Sequence, residues 1–116
     1  MSRDAELDAV LPLTSTVFHM LVALADGPRH GYAIARDVED LTDGRIAMGP
    51  GTLYGSLARM QEAGLIAEAQ NPGEEGLHAE RRRYYRMTAL GSAALSVESE
   101  RLLRAARVAR ARLGTV

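Results

Sequence analysis

The sequence predicts a mostly α-helical fold with one small two-stranded β hairpin and a long closing helix. Three observations carry that expectation. Residues 49 to 66, GPGTLYGSLARMQEAGLI, write a helix with both ends marked that runs directly into a strand. Residues 82 to 87 write a second strand, dense in arginine and tyrosine. From residue 89 onward strong helix formers run nearly to the end, with apolar residues returning at heptad spacing.

Residues 1 to 12 hold Leu7, Val10 and Leu11 ahead of Pro12, a segment compatible with a helix that contacts a dimer partner. Residues 15 to 25 predict a helix that turns Phe18, Leu21, Val22 and Ala25 inward. Asp26, Gly27 and Pro28 break it, and Arg29 and His30 fall in the turn, with His30 suited to cap the next helix. Residues 32 to 41 predict that second helix on the stripe Ile34, Val38 and Leu41.

The third helix spans about residues 50 to 63. Pro50 suits its first position, where a missing amide hydrogen costs nothing, and Gly64 suits the left-handed residue past its end, with Leu65 as apolar partner. Leu53, Leu57 and Met60 form the buried stripe, while Thr52, Gly55, Arg59 and Glu62 fall opposite, so the exposed face carries little bulk. Glycine in a helix costs about 1 kcal/mol relative to alanine, so Gly55 calls for a close approach, either of another surface or of a neighbouring helix within the fold.

Strands are expected over residues 65 to 70 and 82 to 87, the second with Tyr85 and Met87 on one face and Arg82, Tyr84 and Arg86 on the other. The connection, residues 71 to 81, holds Pro72, Gly73, Gly76 and three glutamates and reads as a polar loop without an element of its own. Three helices on a hairpin spanning about 65 to 87 make a winged helix-turn-helix, whose third helix enters the major groove. Thr88 caps the last helix, where Leu95, Leu102 and Ala109 recur every seven residues with Ala106 and Leu113 beside them. Such a seam wants a second helix, supplied by its own domain or by another chain. The chain divides accordingly into residues 1–12, a DNA-binding domain over 13–88 and a dimerisation helix over 89–116.

HGYAI at residues 30 to 34, GTLYGSLARMQEAGLI at 51 to 66 and RRRYYRMTALG at 81 to 91 together resemble the PadR family of bacterial transcriptional regulators. The resemblance implies a homodimer in the branch that ends in one dimerising helix, a repressor that binds a palindromic operator in double-stranded DNA. The family commonly places proline after the tyrosine of the second motif, where this chain has Gly55. Some members hold flat aromatic compounds between tryptophans at the dimer interface. This chain has no tryptophan, which leaves a small-molecule effector without an identified site.

Charge sharpens the functional expectation. The whole-chain balance is −1, yet residues 1 to 80 carry 5 Arg against 13 acidic residues while residues 81 to 116 carry 9 Arg against 2. Basic residues gathered at Arg81, Arg82, Arg83 and Arg86 sit on the hairpin, next to the expected recognition helix. The residues expected to touch DNA are Tyr32, Gly51, Thr52, Tyr54, Gly55, Arg59, Arg82 and Arg83. Tyr32 would meet backbone at a helix start, Tyr54 would either reach a phosphate or edge the core, and Thr52 would either contact DNA or cap its own helix. All 14 basic residues are arginine, a pattern that codon bias explains better than site chemistry.

Other classes find little support. His19, His30 and His78 lack metal-ligand spacing, no cysteine is present, and no phosphate-binding or nucleophile motif occurs. Neither an enzyme, a metal site nor a cofactor is expected. The longest apolar run is far short of a membrane span, and the N-terminus lacks a signal pattern, so no membrane partner and a cytoplasmic location are expected. A winged-helix protein-interaction or ligand-sensing module with little specific DNA binding is the competing reading.

Overall fold

In the computed structural model, which describes residues 2–76 and 78–114, five helices and three short strands follow one another. The ends of the predicted segments at residues 1, 115 and 116 lie outside the described residues. Helix α1 covers Arg3–Val10, with the Ser2 hydroxyl accepting the Ala5 amide, and packs along the final helix. Helix α2 covers Ser15–Leu24, strand β1 Arg29–His30 and helix α3 Gly31–Leu41. Helix α4 covers Pro50–Glu62, strand β2 Ile66–Ala69, strand β3 Tyr84–Met87 and helix α5 Ala89–Leu113.

The end of α4 follows the predicted chemistry. Gly64 has φ +79°, the Leu65 amide donates to the Met60 carbonyl and the Gly64 amide to Gln61, both at 3.0 Å. This Schellman arrangement turns the chain into β2 with Leu65 buried. Leu53, Leu57 and Met60 are buried as the stripe requires, and Ser56 joins them.

Three expectations need correction. The sheet has three antiparallel strands in the order β1-β3-β2, because Arg29 and His30 pair with Tyr85 and Tyr84 on the free edge of β3. Two residues are too few to display the period-two signature of a strand. The second correction concerns Tyr84, predicted to face outward with the arginines. It is buried like Tyr85, because its hydroxyl donates to Glu74 and to the Ala79 carbonyl of a 3-10 turn at Ala79–Arg81, and its ring meets His30 edge to face. Third, α2 buries Met20, Leu21, Ala23 and Leu24, leaving Phe18 and Val22 half-buried and Ala25 exposed. Helix α2 ends at Leu24, so Ala25 is its cap, and Leu41 is likewise exposed as the last residue of α3.

One core unites these elements, built on Met20, Leu21, Ile34, Val38, Leu53, Leu57, Tyr85 and Ala94. The first half of α5 docks on it through Leu90, Gly91, Ala94 and Glu98, with Leu95 half-buried alongside. Beyond Arg101 every described residue of α5 is exposed.

Candidate nucleic-acid interface

The wing, the start of α3 and the middle of α4 meet around a cleft of about 650 Å³ lined by His30, Gly31, Tyr32, Tyr54, Arg82 and Arg83, with His78 and Arg81 at its edge. Four of the residues singled out from sequence, Tyr32, Tyr54, Arg82 and Arg83, therefore share one concave surface. The first residues of α3, whose amide hydrogens lack intrahelical acceptors, form one wall. Three consecutive arginines form the other.

The cleft depends on Gly31. A Cβ at that position would stand 3.0 Å from the Tyr54 hydroxyl oxygen and 3.3 Å from its ring, so glycine lets the Tyr54 ring lie against the start of α3. Tyr54 and Tyr32 meet edge to face at 6.2 Å between centroids. Burial, and then Tyr32, push the Tyr54 hydroxyl above its ordinary range, so it remains a protonated donor at neutral pH.

His30 caps α3, as the sequence suggested: its Nδ1 accepts the Ala33 amide at 3.2 Å. Its ring also stands edge to face with Tyr84. Burial first, and then the Arg82 guanidinium, lower its pKa, and Glu74 opposes them. Sequence reasoning treated His30 only as a cap and passed over Gly31 and His78 as parts of the cleft. The one available signal was glycine inside a helical first turn, flanked by a capping residue and an aromatic one.

Helix α4 adds only Tyr54 to this cleft, and Thr52 and Arg59 instead line a second cavity of about 510 Å³ with Val10, Leu13 and Val17. Gly51, Thr52, Ala58, Arg59 and Glu62 are exposed and Gly55 is half-exposed. A Cβ at Gly55 would meet only the Arg59 guanidinium, at 3.4 Å, so no neighbouring helix crosses there. Gly49 caps α4 without a side-chain hydrogen bond, and Thr52 does not supply one. Arg59 bonds the Ser56 hydroxyl at 3.3 Å and pairs with no carboxylate among the described residues.

The arginine cluster is split. Arg81, Arg82 and Arg83 line the cleft, whereas Arg86 lies at the far end of β3, beside the turn at Asp26 to Pro28. Arg83 stands 3.8 Å from Glu68 on β2, a pair open to solvent on both sides.

The family model for transcriptional regulators of the PadR-like family matches residues 20–97. The chain belongs to that family. Among solved structures, a transcriptional regulator from Clostridium thermocellum is 28% identical to this PadR-like chain, with TM-score 0.61 over 89% of this chain and 95% of that one. A PadR family transcription regulator from Clostridium difficile shares the fold at TM-score 0.67 and 22% identity, over 86% and 99% of the two chains. RosR of H. salinarum does so at TM-score 0.65 and 24% identity, over 82% and 78%. An uncharacterized 37.1 kDa protein of transposon TN4556 from Streptomyces fradiae is 45% identical over 56 residues, 48% of this chain and 16% of that protein. The PadR-like chain thus spans about a sixth of that relative's length.

The chain carries the winged-helix fold of the PadR-like family of transcriptional regulators. Among the described residues no helix is long and apolar enough to cross a membrane, and no group of side chains could hold a metal ion.

Proposed function

We propose that this chain is a homodimeric repressor that reads a palindromic operator with one α4 helix per half-site. The observation that carries the reading is the basic cleft of Tyr32, Tyr54, Arg82 and Arg83, which α4 reaches through Tyr54 while Gly51, Thr52, Gly55 and Arg59 stay open on the rest of the same helix. A recognition helix needs a face thin enough to approach base edges, and donors beside it that grip phosphates and fix its register. Gly51, Thr52, Gly55 and Arg59 supply the first, and the cleft supplies the second. Arg59, without a carboxylate partner, is available for a guanine edge or a phosphate.

Dimerisation falls to the second half of α5. Leu102, Ala106, Ala109 and Leu113 are exposed there, with Leu113 at 76%, on a helix that has left its own domain. An apolar row on an unsupported helix is stabilised by a partner helix in register. Leu95, packed at the edge of the core, links that row to the domain. In this reading residues 13–88 are the DNA-binding unit, and residues 1–12 and 89–116 frame the dimer.

Fluorescence anisotropy on a duplex from the region upstream of the gene, and on a scrambled duplex, tests the proposal across a salt series. Affinity should fall steeply with salt. Arg82→Gln should weaken both duplexes alike and reduce the slope of log affinity against log salt by about one. Arg59→Gln should weaken the upstream duplex selectively. Salt-insensitive binding, or equal affinity for both duplexes, would overturn the operator-reading role.

A further inference from the structure

A carboxylate stands against His30, one of the residues that line the cleft. Glu74, from the acidic wing loop, places Oε2 3.3 Å from the Tyr84 hydroxyl and 3.9 Å from His30 Nε2. Arg82 Nη1 lies 3.4 Å from the same His30 nitrogen. Because His30 Nδ1 already accepts the Ala33 amide, a neutral ring carries its hydrogen on Nε2, and that edge can only donate. The guanidinium carries donors alone, and the Tyr84 hydroxyl donates to Glu74 and, at 3.4 Å, to the Ala79 carbonyl. Tyr84 donates to the wing-loop carboxylate, His30 Nε2 faces the same oxygen at 3.9 Å, and Arg82 stands behind that ring nitrogen, so two donors and one cation surround an anionic oxygen.

The loop is shaped to deliver that oxygen. Asn71 Oδ1 accepts the amides of Gly73 and Glu74, at 3.0 and 2.7 Å, and its Nδ2 donates to the Glu74 carbonyl at 3.0 Å. Glu75, the next residue, is exposed and makes no such contact among the described residues. The two glutamates thus carry the same charge with different geometry. The Glu74 side chain is 40% exposed against 11% for His30, so its carboxylate rests on the site without being locked into it.

We propose that Glu74 is an intramolecular stand-in for a nucleic-acid phosphate, resting on the Tyr84 hydroxyl and against His30 beside Arg82 until a DNA backbone phosphate displaces it. The inference rests on the DNA-binding role of the cleft given above. Its consequence is selectivity: every duplex must first displace Glu74, so phosphate contacts alone support only weak binding, and base contacts must supply the remainder.

Glu74→Gln keeps the shape of the loop and removes the competing charge, while Glu75→Gln removes an equal charge that makes no ion pair or side-chain hydrogen bond among the described residues. Two titrations compare them with the parent: inorganic phosphate, followed by the His30 ring resonances in NMR, and a scrambled duplex, followed by anisotropy. Glu74→Gln should bind both about three- to five-fold more tightly, the range of a partly exposed ion pair. Glu75→Gln should stay within about twofold, as expected of a charge screened by solvent. Equal effects of the two substitutions in the phosphate titration would overturn the competition. If Glu74→Gln alone strengthens phosphate binding while the scrambled duplex binds to none of the three proteins, the anion site stands and the DNA-binding role of the cleft falls.

Discussion

Glu98, buried in the first half of α5, accepts the backbone amide of Leu13 at 3.0 Å through Oε2. The contact joins positions 85 residues apart and ties the entrance of α2 to the last helix. Arg101 completes it, with Nε 2.7 Å from Oε1 and Nη2 3.1 Å from Oε2. A carboxylate this far from water persists because its oxygens are occupied by donors.

Glu98→Ala leaves the Leu13 amide without its acceptor, and should lower unfolding free energy by about 1–3 kcal/mol, measured by urea denaturation. The hydrogen bond from Arg101 leads the causes that hold the Glu98 pKa below its ordinary value, against burial, which raises it. Its contribution to stability is therefore complete above the unfolded carboxylate range and is lost as pH falls through the lower folded value. The parent should lose more stability than Glu98→Ala on acidification from neutral pH to below pH 4, and parallel loss would contradict the assignment.

Gly91 lies under the carbonyl of Leu65. A Cβ there would overlap the Leu65 oxygen and stand 2.9 Å from Met87 Cγ, so α5 can approach the start of the wing only through glycine. The Thr88 amide bonds that same oxygen at 3.1 Å, and the Thr88 hydroxyl donates to the Gly64 carbonyl at 2.5 Å. Gly91→Ala should destabilise the fold by about 1–3 kcal/mol despite the better helix propensity of alanine, because backbone must move. A thermal midpoint equal to or above that of the parent would show that the helix can shift freely.

Gly55 gives the opposite sign in the same assay. Its added Cβ would meet only the flexible end of Arg59, so Gly55→Ala should stabilise by up to about 1 kcal/mol. Gly55→Leu should fold equally well yet lose operator binding in anisotropy, because the bulk would stand on the face proposed to enter the groove. A folded Gly55→Leu protein as tight on DNA as the parent would remove Gly55, Thr52 and Arg59 together from the interface.

Leu102 is 39% exposed within one chain, so Leu102→Glu should leave the fold intact and shift the protein from dimer to monomer in light scattering. Removing residues 102 to 116 should do the same. Truncation at Gly91 is a poorer test, since it also removes Ala94 and Glu98 from the core. A monomeric parent at micromolar concentration would refute the dimer.

Much of this fold is written in local sequence. Pro50 and Gly64 bracket α4, Thr88 starts α5, His30 caps α3, and the stripe of Leu53, Leu57 and Met60 names the buried face of α4. These features depend on backbone dihedrals and on neighbours three or four residues away, which a single stretch of chain encodes. Tertiary packing decided the rest. It placed Arg29 and His30 on the edge of β3, buried Tyr84 under a loop that reads as polar, divided Arg86 from Arg81 to Arg83, and joined Glu98 to Leu13. Each of these joins residues distant in sequence, and neither periodicity nor propensity carries information about which distant donor will meet which acceptor. The glycines divide the same way: Gly64 was legible because a positive φ is a local demand, whereas Gly31 and Gly91 serve a Tyr54 ring and a Leu65 carbonyl that only the folded chain brings near.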